Sequence, residues 1–419
     1  MILKRRSQCL LSRAFAVATI VSAFASVGCA TYQDNVATAR HLLAEGNARG
    51  AAQHLKSLAN TPGNDQLVYV FDYATALQVE GRYKKSNKYF ELANHLADVK
   101  DYISLSRETG SLLFAQELVQ YHGEDYENLL INLMEALNYL MLGDHDDARV
   151  EVRALNDKLN YYRDEENKTY DKNAMAQYLG GLMWEDDHNY DSAYIEYTHA
   201  YKLDPDVPSI KEALVRTAYL DQRHGQFRRW SKKFGIHLDP KWTNPDYGEL
   251  VLIYEQGWAP RKYPRPEVPE LPELFPRPSQ TQSARMDIAG GPSVQTQSVY
   301  SVQNVAIKTL DDEYAALVAK RAAGFVTKEV VANQVSQNNQ TLGFLLDVAM
   351  HASDRADLRQ WSTLPQTFQV ARVFLKAGSY NVSVQGLTAE GTPSVDSRAA
   401  ETFEIRPRRK TFFIWRSFH

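Results

Sequence analysis

The sequence predicts a multi-domain protein, with an α-helical repeat half followed by an α+β half. Three observations support this division. Between residues 46 and 234 a pattern of turn, small and bulky residues recurs at helical spacing. Seven prolines fall between residues 260 and 278. Beyond residue 290, stretches of alternating apolar and polar residues predict strands, and helical runs separate them.

Residues 1–28 have the layout of a signal peptide. Basic residues at 4–6 precede an apolar run at 14–27, and Gly28 stands directly before Cys29. This ending resembles the lipobox of bacterial lipoproteins. The resemblance implies cleavage between Gly28 and Cys29 and acylation of Cys29, palmitate included. The alternative is ordinary cleavage after residues 23–25, which leaves Cys29 as a free thiol.

Acylation of Cys29 would fix the location of the protein. One acyl chain binds a bilayer marginally, whereas two or more hold stably. Ala30 follows the cysteine, where the sorting rule of enteric lipoproteins implies an outer-membrane protein that faces the periplasm. Cys9 leaves with the signal, so we expect no disulfide within one mature chain.

The repeat pattern begins with a residue that permits a tight turn and continues with a small residue on the next helix. The copies start at Gly46, Gly81, Gly143 and Tyr190, with an eroded copy at Gly225. Their small residues, which allow close helix approach, are Ala51, Ser86, Ala148 and Ala193. The pattern resembles the second half of the tetratricopeptide repeat. It implies an α-solenoid of tetratricopeptide-like helix pairs over residues 29–244; a generic helical bundle is the alternative.

A solenoid of this type has a concave groove lined by the first helix of each repeat. The resemblance places a mainly apolar set of candidate residues in that groove: Val68, Phe71, Val79, Leu133, Leu137, Met141 and Trp184. Two occupants are open at this point. One is a helix or extended peptide of a partner protein, and the other is the chain's own C-terminal half.

Residues 245–290 predict one strand followed by a proline-rich linker, which is extended because proline fixes its own backbone. Residues 291–419 predict an α+β domain with an antiparallel sheet and one or two helices. We expect strands at 294–305, 368–375, 380–387, 402–405 and 411–415, and helices at 309–337 and 343–351. A glycine-containing turn at 376–379 predicts a hairpin.

Several stretches in a fixed order carry a wider resemblance. They are residues 123–126, 136–139, 142–144, 147–153, 249–251, 257, 259–262, 355–357, 359, 361 and 364–365. Together they resemble an uncharacterised family of tetratricopeptide-repeat-containing outer-membrane lipoproteins of Gram-negative bacteria. The resemblance covers nearly the whole mature chain. It implies an architecture and a cellular address, and it implies no activity.

Catalytic motifs are missing from the sequence. We find no nucleophile elbow, zinc-protease motif or phosphate-binding glycine loop. The densest acidic cluster, at residues 144–147, falls where helix capping is expected, and residues 185–188 repeat the situation. We therefore predict no enzyme, no cofactor and no metal site. The formal net charge of −4 also argues against nucleic-acid binding.

Two functional hypotheses follow. The first is a membrane-anchored periplasmic scaffold or adaptor that binds a protein partner of cell-envelope assembly through its repeats. The second is a peptidoglycan- or glycan-binding protein that acts through the C-terminal domain. Trp361, Trp415 and the basic aromatic tail at 406–419 motivate this second hypothesis.

Overall fold

A computed structural model of the chain describes residues 32–111, 120–164, 174–267, 269, 271–311 and 356–419. Gly28, Cys29 and the predicted helix at 343–351 lie outside these ranges. So does most of the predicted helix at 309–337, although residues 302–311 are helical. Among the helices that the structure describes, none is long and apolar enough to cross a membrane.

The N-terminal half consists of helices connected mostly by short turns. In chain order they are α1 (Tyr32–Ala44), α2 (Ala48–Asn60), α3 (Gln66–Val79), α4 (Tyr83–Ser111), α5 (Asp125–Leu142), α6 (His145–Asp164), α7 (Ala174–Asp186), α8 (Tyr190–Leu203), α9 (Pro208–Leu220) and α10 (His224–Phe234). Each helix packs against the next one along the chain. The predicted repeat domain is thus an array of helix pairs.

The turns within the pairs confirm the repeat pattern. Gly46, Gly81 and Gly143 have φ angles of 75°, 79° and 75°, a left-handed conformation that glycine adopts without steric cost. The small residues of the pattern pack against the preceding helix and are fully buried: Ala51, Ser86, Ala148 and Ala193. A larger side chain at any of these positions would push the two helices of a pair apart.

The C-terminal half contains ten strands among the described residues. They are β1 (Tyr247–Gln256), β2 (Arg261–Pro264), β3 (Pro272–Phe275), β4 (Ser283–Ile288), β5 (Ser293–Gln295), β6 (Gln297–Ser301), β7 (Thr367–Lys376), β8 (Gly378–Leu387), β9 (Pro393–Ile405) and β10 (Lys410–Arg416). Sheet 1 has the order β10-β1-β7-β6, and sheet 2 has the order β5-β4-β8-β9. Strands β2 and β3 form a separate hairpin.

Sheets 1 and 2 pack face to face as a sandwich. Alternate residues of their strands form the core between them: Leu250, Leu252, Tyr254, Ala284, Met286, Val373, Val382, Val384 and Phe413. Pairing within the sheets is antiparallel except between β1 and β10, which run parallel. The sandwich agrees with the predicted antiparallel α+β domain apart from that one pair.

Three local features differ from the sequence expectations. The strand expected at the start of residues 245–290 is β1, but no linker follows it among the described residues, because β2, β3 and β4 occupy that stretch. The strand expected at 294–305 ends at Ser301, whose hydroxyl accepts a hydrogen bond from Asn304 N (3.2 Å) and begins a helix. Residues 376–379 form no hairpin, because β7 belongs to sheet 1 and β8 to sheet 2.

The second face of sheet 1 points toward the helices. On this face, Val251, Ile253, Phe368 and Val370 belong to the same buried cluster as the apolar residues of the repeat domain. The order of layers is therefore helices, sheet 1, sheet 2. The C-terminal half therefore packs against the repeat domain through sheet 1.

Candidate functional site

The candidate groove residues are covered by other parts of the chain. Val68, Phe71, Leu133 and Leu137 are completely buried. Val79, Met141 and Trp184 are partly buried and pack against the same apolar cluster. The structure thus brings the seven residues into one core that includes sheet 1. The sequence left two occupants of the groove open, a partner's peptide and the chain's own C-terminal half. In the described residues, the groove residues contact the C-terminal half.

The centre of this contact is Trp361, in an irregular stretch before β7. Residues 358–363 are called the insert segment below. The Trp361 ring stacks on Phe71 with 4.5 Å between ring centroids and an angle of 8°. It also lies 5.5 Å from the ring of Phe90. Its Nε1 donates a hydrogen bond to Thr75 Oγ1 (2.9 Å), so the indole is both buried and satisfied.

Asp72 binds the next two residues of the insert segment. Its Oδ1 accepts hydrogen bonds from the backbone N (3.0 Å) and the hydroxyl (2.8 Å) of Thr363, and Ser362 Oγ donates to Oδ2 (2.9 Å). Burial raises the pKa of Asp72 to about 6, against the effect of these hydrogen bonds. The carboxylate therefore fixes the register of the insert segment along α3.

Glu127 on α5 makes an equivalent contact. Its Oε1 accepts a hydrogen bond from Trp361 N (2.6 Å), and its Oε2 accepts from Tyr121 OH (2.6 Å) and Glu124 N (3.0 Å). The bond to Glu124 N is part of a capping box that begins α5. Burial raises the pKa of Glu127 to about 7, so this carboxyl changes charge near neutral pH.

Two cations complete this end of the interface. Lys262 on β2 is buried, binds the carboxylate of Glu124 and donates to Arg359 O (3.0 Å). Arg359 pairs with Asp357 (2.6 Å) and with Asp65 (3.0 Å) at the start of α3. Each charge that leaves water here has an opposite charge beside it, which limits the cost of burial.

A second set of charges joins sheet 1 to the later repeats. The ion-pair cluster consists of Glu185, Arg216, Glu249, Arg372 and Lys410. Glu185 on α7 binds Arg216 on α9 (2.5 Å) and Arg372 on β7 (3.0 Å). Although burial alone would raise it, the charges of Arg372 and Lys410 lower the pKa of Glu249 to about 2.

A cavity of 220 Å³ opens beside the ion-pair cluster, between the last repeats and the sandwich. We call it the basic cleft. Five cationic side chains line it: Arg216, Lys241, Arg408, Arg409 and Lys410. Three carboxylates line it too, on Glu185, Asp186 and Glu249, and each is paired with cations. The aromatic walls are Tyr190, Trp242, Tyr247 and Phe374.

The acidic turns noted in the sequence lie close together. In the first, Asp144 Oδ1 accepts a hydrogen bond from Asp147 N (3.2 Å), which is a helix cap as expected. His145 lies beside Asp186 and Asp187 of the second turn. Arg409 pairs with Asp186 (2.9 Å), and Arg149 pairs with Asp187. These carboxylates are therefore neutralised by arginine side chains.

The aromatic residues proposed for glycan binding are not surface platforms. Trp361 is completely buried in the groove. Trp415 is half-buried and stacks on Tyr254 with 4.9 Å between ring centroids. Within the basic tail, residues 410–416 are strand β10, and Arg416 is buried. The indole of Trp361 is therefore closed to a glycan, and one face of the Trp415 indole is occupied by Tyr254.

Helix pairs in an array, with a sandwich of the same chain filling their groove, define a tetratricopeptide-like repeat protein with an α+β C-terminal domain. No protein-family model matches the chain, and no curated protein matches its sequence.

Among solved structures, the chain is similar to MamA 41-end from Desulfovibrio magneticus RS-1, with 16% identity over 47% of this chain and 88% of that chain and a TM-score of 0.31. It is also similar to a putative kinesin light chain of Podosopora anserina with nearly identical TPR-like repeats (10% identity, 48% and 92% of the chains, TM-score 0.34). A third is YrrB, a TPR protein with an unusual peptide-binding site (11% identity, 48% and 83%, TM-score 0.32).

Sequence reasoning missed most of the polar residues that hold this interface. Trp361 was assigned to glycan binding, and Arg359 and Lys262 belonged to the stretches that carry the family resemblance, without a role of their own. Asp72 carried one further signal, because a carboxylate between Phe71 and Tyr73 in an apolar helix must have partners. Its partners lie 290 and 291 residues away, too far for any local pattern to connect them.

Proposed function

We propose that this protein is a lipid-anchored scaffold of the cell envelope. Acyl chains on Cys29 hold it at the periplasmic face of the outer membrane, and it binds a protein partner there. The observation that carries the proposal is a lipobox-like cysteine three residues before a folded repeat array. Tyr32, the first described residue, is already buried, and its hydroxyl binds Asp72 (3.3 Å). With so short a connection, the scaffold stays close to the bilayer.

The basic cleft is the proposed partner site. The repeat groove holds the insert segment, so a partner needs another concave surface. Lys241 and Arg408 line the cleft without a carboxylate partner among the described residues. Arg408 has a φ of 57°, a conformation that costs a non-glycine residue energy, and it lies in the wall of the cleft. An excess of cations beside aromatic walls fits an acidic segment of a protein.

The anchor is tested by mass spectrometry of the mature amino terminus. We expect an acylated Cys29 as the first residue. The Cys29→Ser variant should no longer be processed at this site, and it should lose its acyl chains. An unmodified amino terminus that begins at residue 26, with the thiol of Cys29 free, would overturn the anchor.

The partner site is tested with a photo-cross-linking residue in place of Lys241, in cells. The control carries the same residue in place of Leu142, an exposed position on α5 outside the cleft. We expect adducts with one acidic protein from position 241 only. A second arm compares Arg408→Gly, which removes the charge and relaxes the backbone, with Arg228→Glu on the exposed side of α10. Equal adducts from both positions, or retention of the adduct in Arg408→Gly, would refute the site.

A further inference from the structure

The β2–β3 hairpin places an aromatic pair on the surface of the protein. Tyr263 and Phe275 lie edge to face, with 5.8 Å between ring centroids. They are 45% and 38% exposed, and both belong to the exposed large apolar side chains of the described residues. Strand alternation explains their direction, since Lys262 and Leu274 point inward and are buried. The hairpin thus has one buried face and one exposed aromatic face.

Arginine side chains surround this aromatic face. The guanidinium of Arg261 lies 5.3 Å from the ring of Tyr263, and that of Arg277 lies 4.9 Å from the ring of Trp258. Burial, followed by the charges of Arg40 and Arg261, lowers the pKa of Arg277 to about 10. The three guanidinium groups are therefore close enough to repel one another. Residues 261–277 carry four cations (Arg261, Lys262, Arg265 and Arg277) and three carboxylates (Glu267, Glu270 and Glu273), so their formal charge is +1.

The inner face of the hairpin is fixed to the repeats. Lys262 binds Glu124, the residue that caps the start of α5, and its backbone N donates to Gln360 Oε1 (2.5 Å). Gln360 Nε2 in turn donates to Pro260 O (2.8 Å). These contacts hold the aromatic face in one orientation relative to α1 and α5. A surface held in this way can bind without a large loss of conformational entropy.

The hairpin also lies beside the anchored end of the chain. Arg261 Nη2 donates a hydrogen bond to Gln33 Oε1 (2.8 Å), and Gln33 follows Cys29 by four residues. An extended chain spans at most about 3.6 Å per residue, so Cys29 Cα lies within about 14 Å of Gln33 Cα. This bound holds for any path of residues 29–32. The hairpin therefore lies at the end of the molecule to which the acyl chains would be attached.

We propose that the outer face of the β2–β3 hairpin binds the headgroup region of the bilayer, with Tyr263 and Phe275 at the interface and Arg261 and Arg277 on anionic phospholipid. The inference rests on the proposed function, because it takes Cys29 as the anchor. Aromatic side chains favour the membrane–water interface, and arginine pairs with anionic headgroups. The hairpin would then set the orientation of the scaffold, which an acyl anchor alone leaves free to rotate.

Lipid cross-linking tests the contact in the full acylated chain. A photo-cross-linking phenylalanine replaces Tyr263 in one sample and Val395 in another, and both are reconstituted into vesicles that contain phosphatidylglycerol. Val395 on β9 is 67% exposed and is the matched control. We expect lipid adducts from position 263 only. No adduct at 263, or equal adducts at both positions, would overturn the inference.

Vesicle flotation separates this inference from the proposed anchor. The mature chain with Cys29→Ser binds vesicles through its surface alone. We expect the double variant Tyr263→Ser and Phe275→Ser to bind phosphatidylglycerol vesicles about tenfold less tightly, and Val395→Ser to bind as the parent does. Unchanged binding of the double variant would refute the hairpin contact. A mature terminus without acyl chains would instead refute the anchor, whatever the flotation shows.

Discussion

Replacing Trp361 with alanine removes the side chain that joins the sandwich to the repeat groove. The indole is completely buried, stacks on Phe71 and donates to Thr75. A buried tryptophan takes about 200 Å² out of water, and at about 25 cal/mol per Å² this contributes about 5 kcal/mol. Alanine retains a small part of that, so we expect Trp361→Ala to cost about 4 kcal/mol, within the usual range for this change.

Native-state hydrogen exchange measures this loss where it occurs. Backbone amides of residues 68–79 on α3 should become less protected by about 4 kcal/mol, because the sandwich no longer covers them. Trp361→Phe keeps an aromatic ring against Phe71 but loses the hydrogen bond to Thr75. The lost hydrogen bond should cost about 1 kcal/mol, in addition to the cost of the smaller ring. Trp415→Ala is the matched control, because its ring stacks on Tyr254 within the sandwich.

Two results would contradict the conclusion that Trp361 joins the C-terminal half to the repeat groove. If Trp361→Ala leaves the exchange of residues 68–79 unchanged, or lowers protection by less than about 1 kcal/mol, the indole does not hold the two halves together. If Trp415→Ala opens the same amides equally, the effect is a general loss of stability.

Three further changes test separate contacts. Asp72→Asn should cost about 2 kcal/mol by hydrogen exchange at residues 358–363, because the amide group cannot accept from both Thr363 donors and Ser362 as the carboxylate does. Glu249→Gln should lower stability at pH 7 by about 3 kcal/mol and flatten its acid dependence. The folded-state pKa of Glu249 is about 2, below the unfolded value of about 4.3, so its contribution is present above pH 4.3 and is lost as the pH falls toward 2. Gly248→Ala should prevent correct pairing of β1, because the added Cβ would lie 2.1 Å from the carbonyl oxygen of Arg406.

The controls follow from the same contacts. Asp72→Glu keeps a carboxylate but displaces it. The stability loss of Asp72→Asn must therefore exceed that of Asp72→Glu. Urea unfolding of Glu249→Gln between pH 2 and 7 must show a shallower acid limb than the parent; an identical limb would contradict the role of this residue. Gly225→Ala adds a methyl group in open space on α10 and should stabilise the helix by about 0.8 kcal/mol, whereas Gly248→Ala destabilises.

The sequence predicted the repeat half well because its signals are local. Gly81 and Ser86 are five residues apart, and both serve the same helix pair. The tight turn demands glycine, and the close helix contact demands a small side chain. Such requirements repeat within each unit, so they leave a pattern that one chain displays on its own.

The sandwich and the interface were harder because their determinants are distant in the chain. Residues 376–379 looked like a hairpin turn, since alternation defines a strand but does not say which sheet it joins. Gly378, with a φ of 153°, instead lets the chain cross from sheet 1 to sheet 2. The prolines at 264 and 272 suggested a linker, yet they face each other at one end of the β2–β3 hairpin, where a missing N–H is tolerated.

The parallel pairing of β1 with β10 has a consequence for biosynthesis. Some 150 residues separate the two strands in the chain, so the amino-terminal helices leave the ribosome long before β1 gains this neighbour. A chain cut short of residue 410 would leave ten residues of an apolar strand with one side open, which invites aggregation and proteolysis. Interrupted synthesis should therefore yield a product that proteases degrade, whereas β10 covers the open edge of β1 in the folded chain.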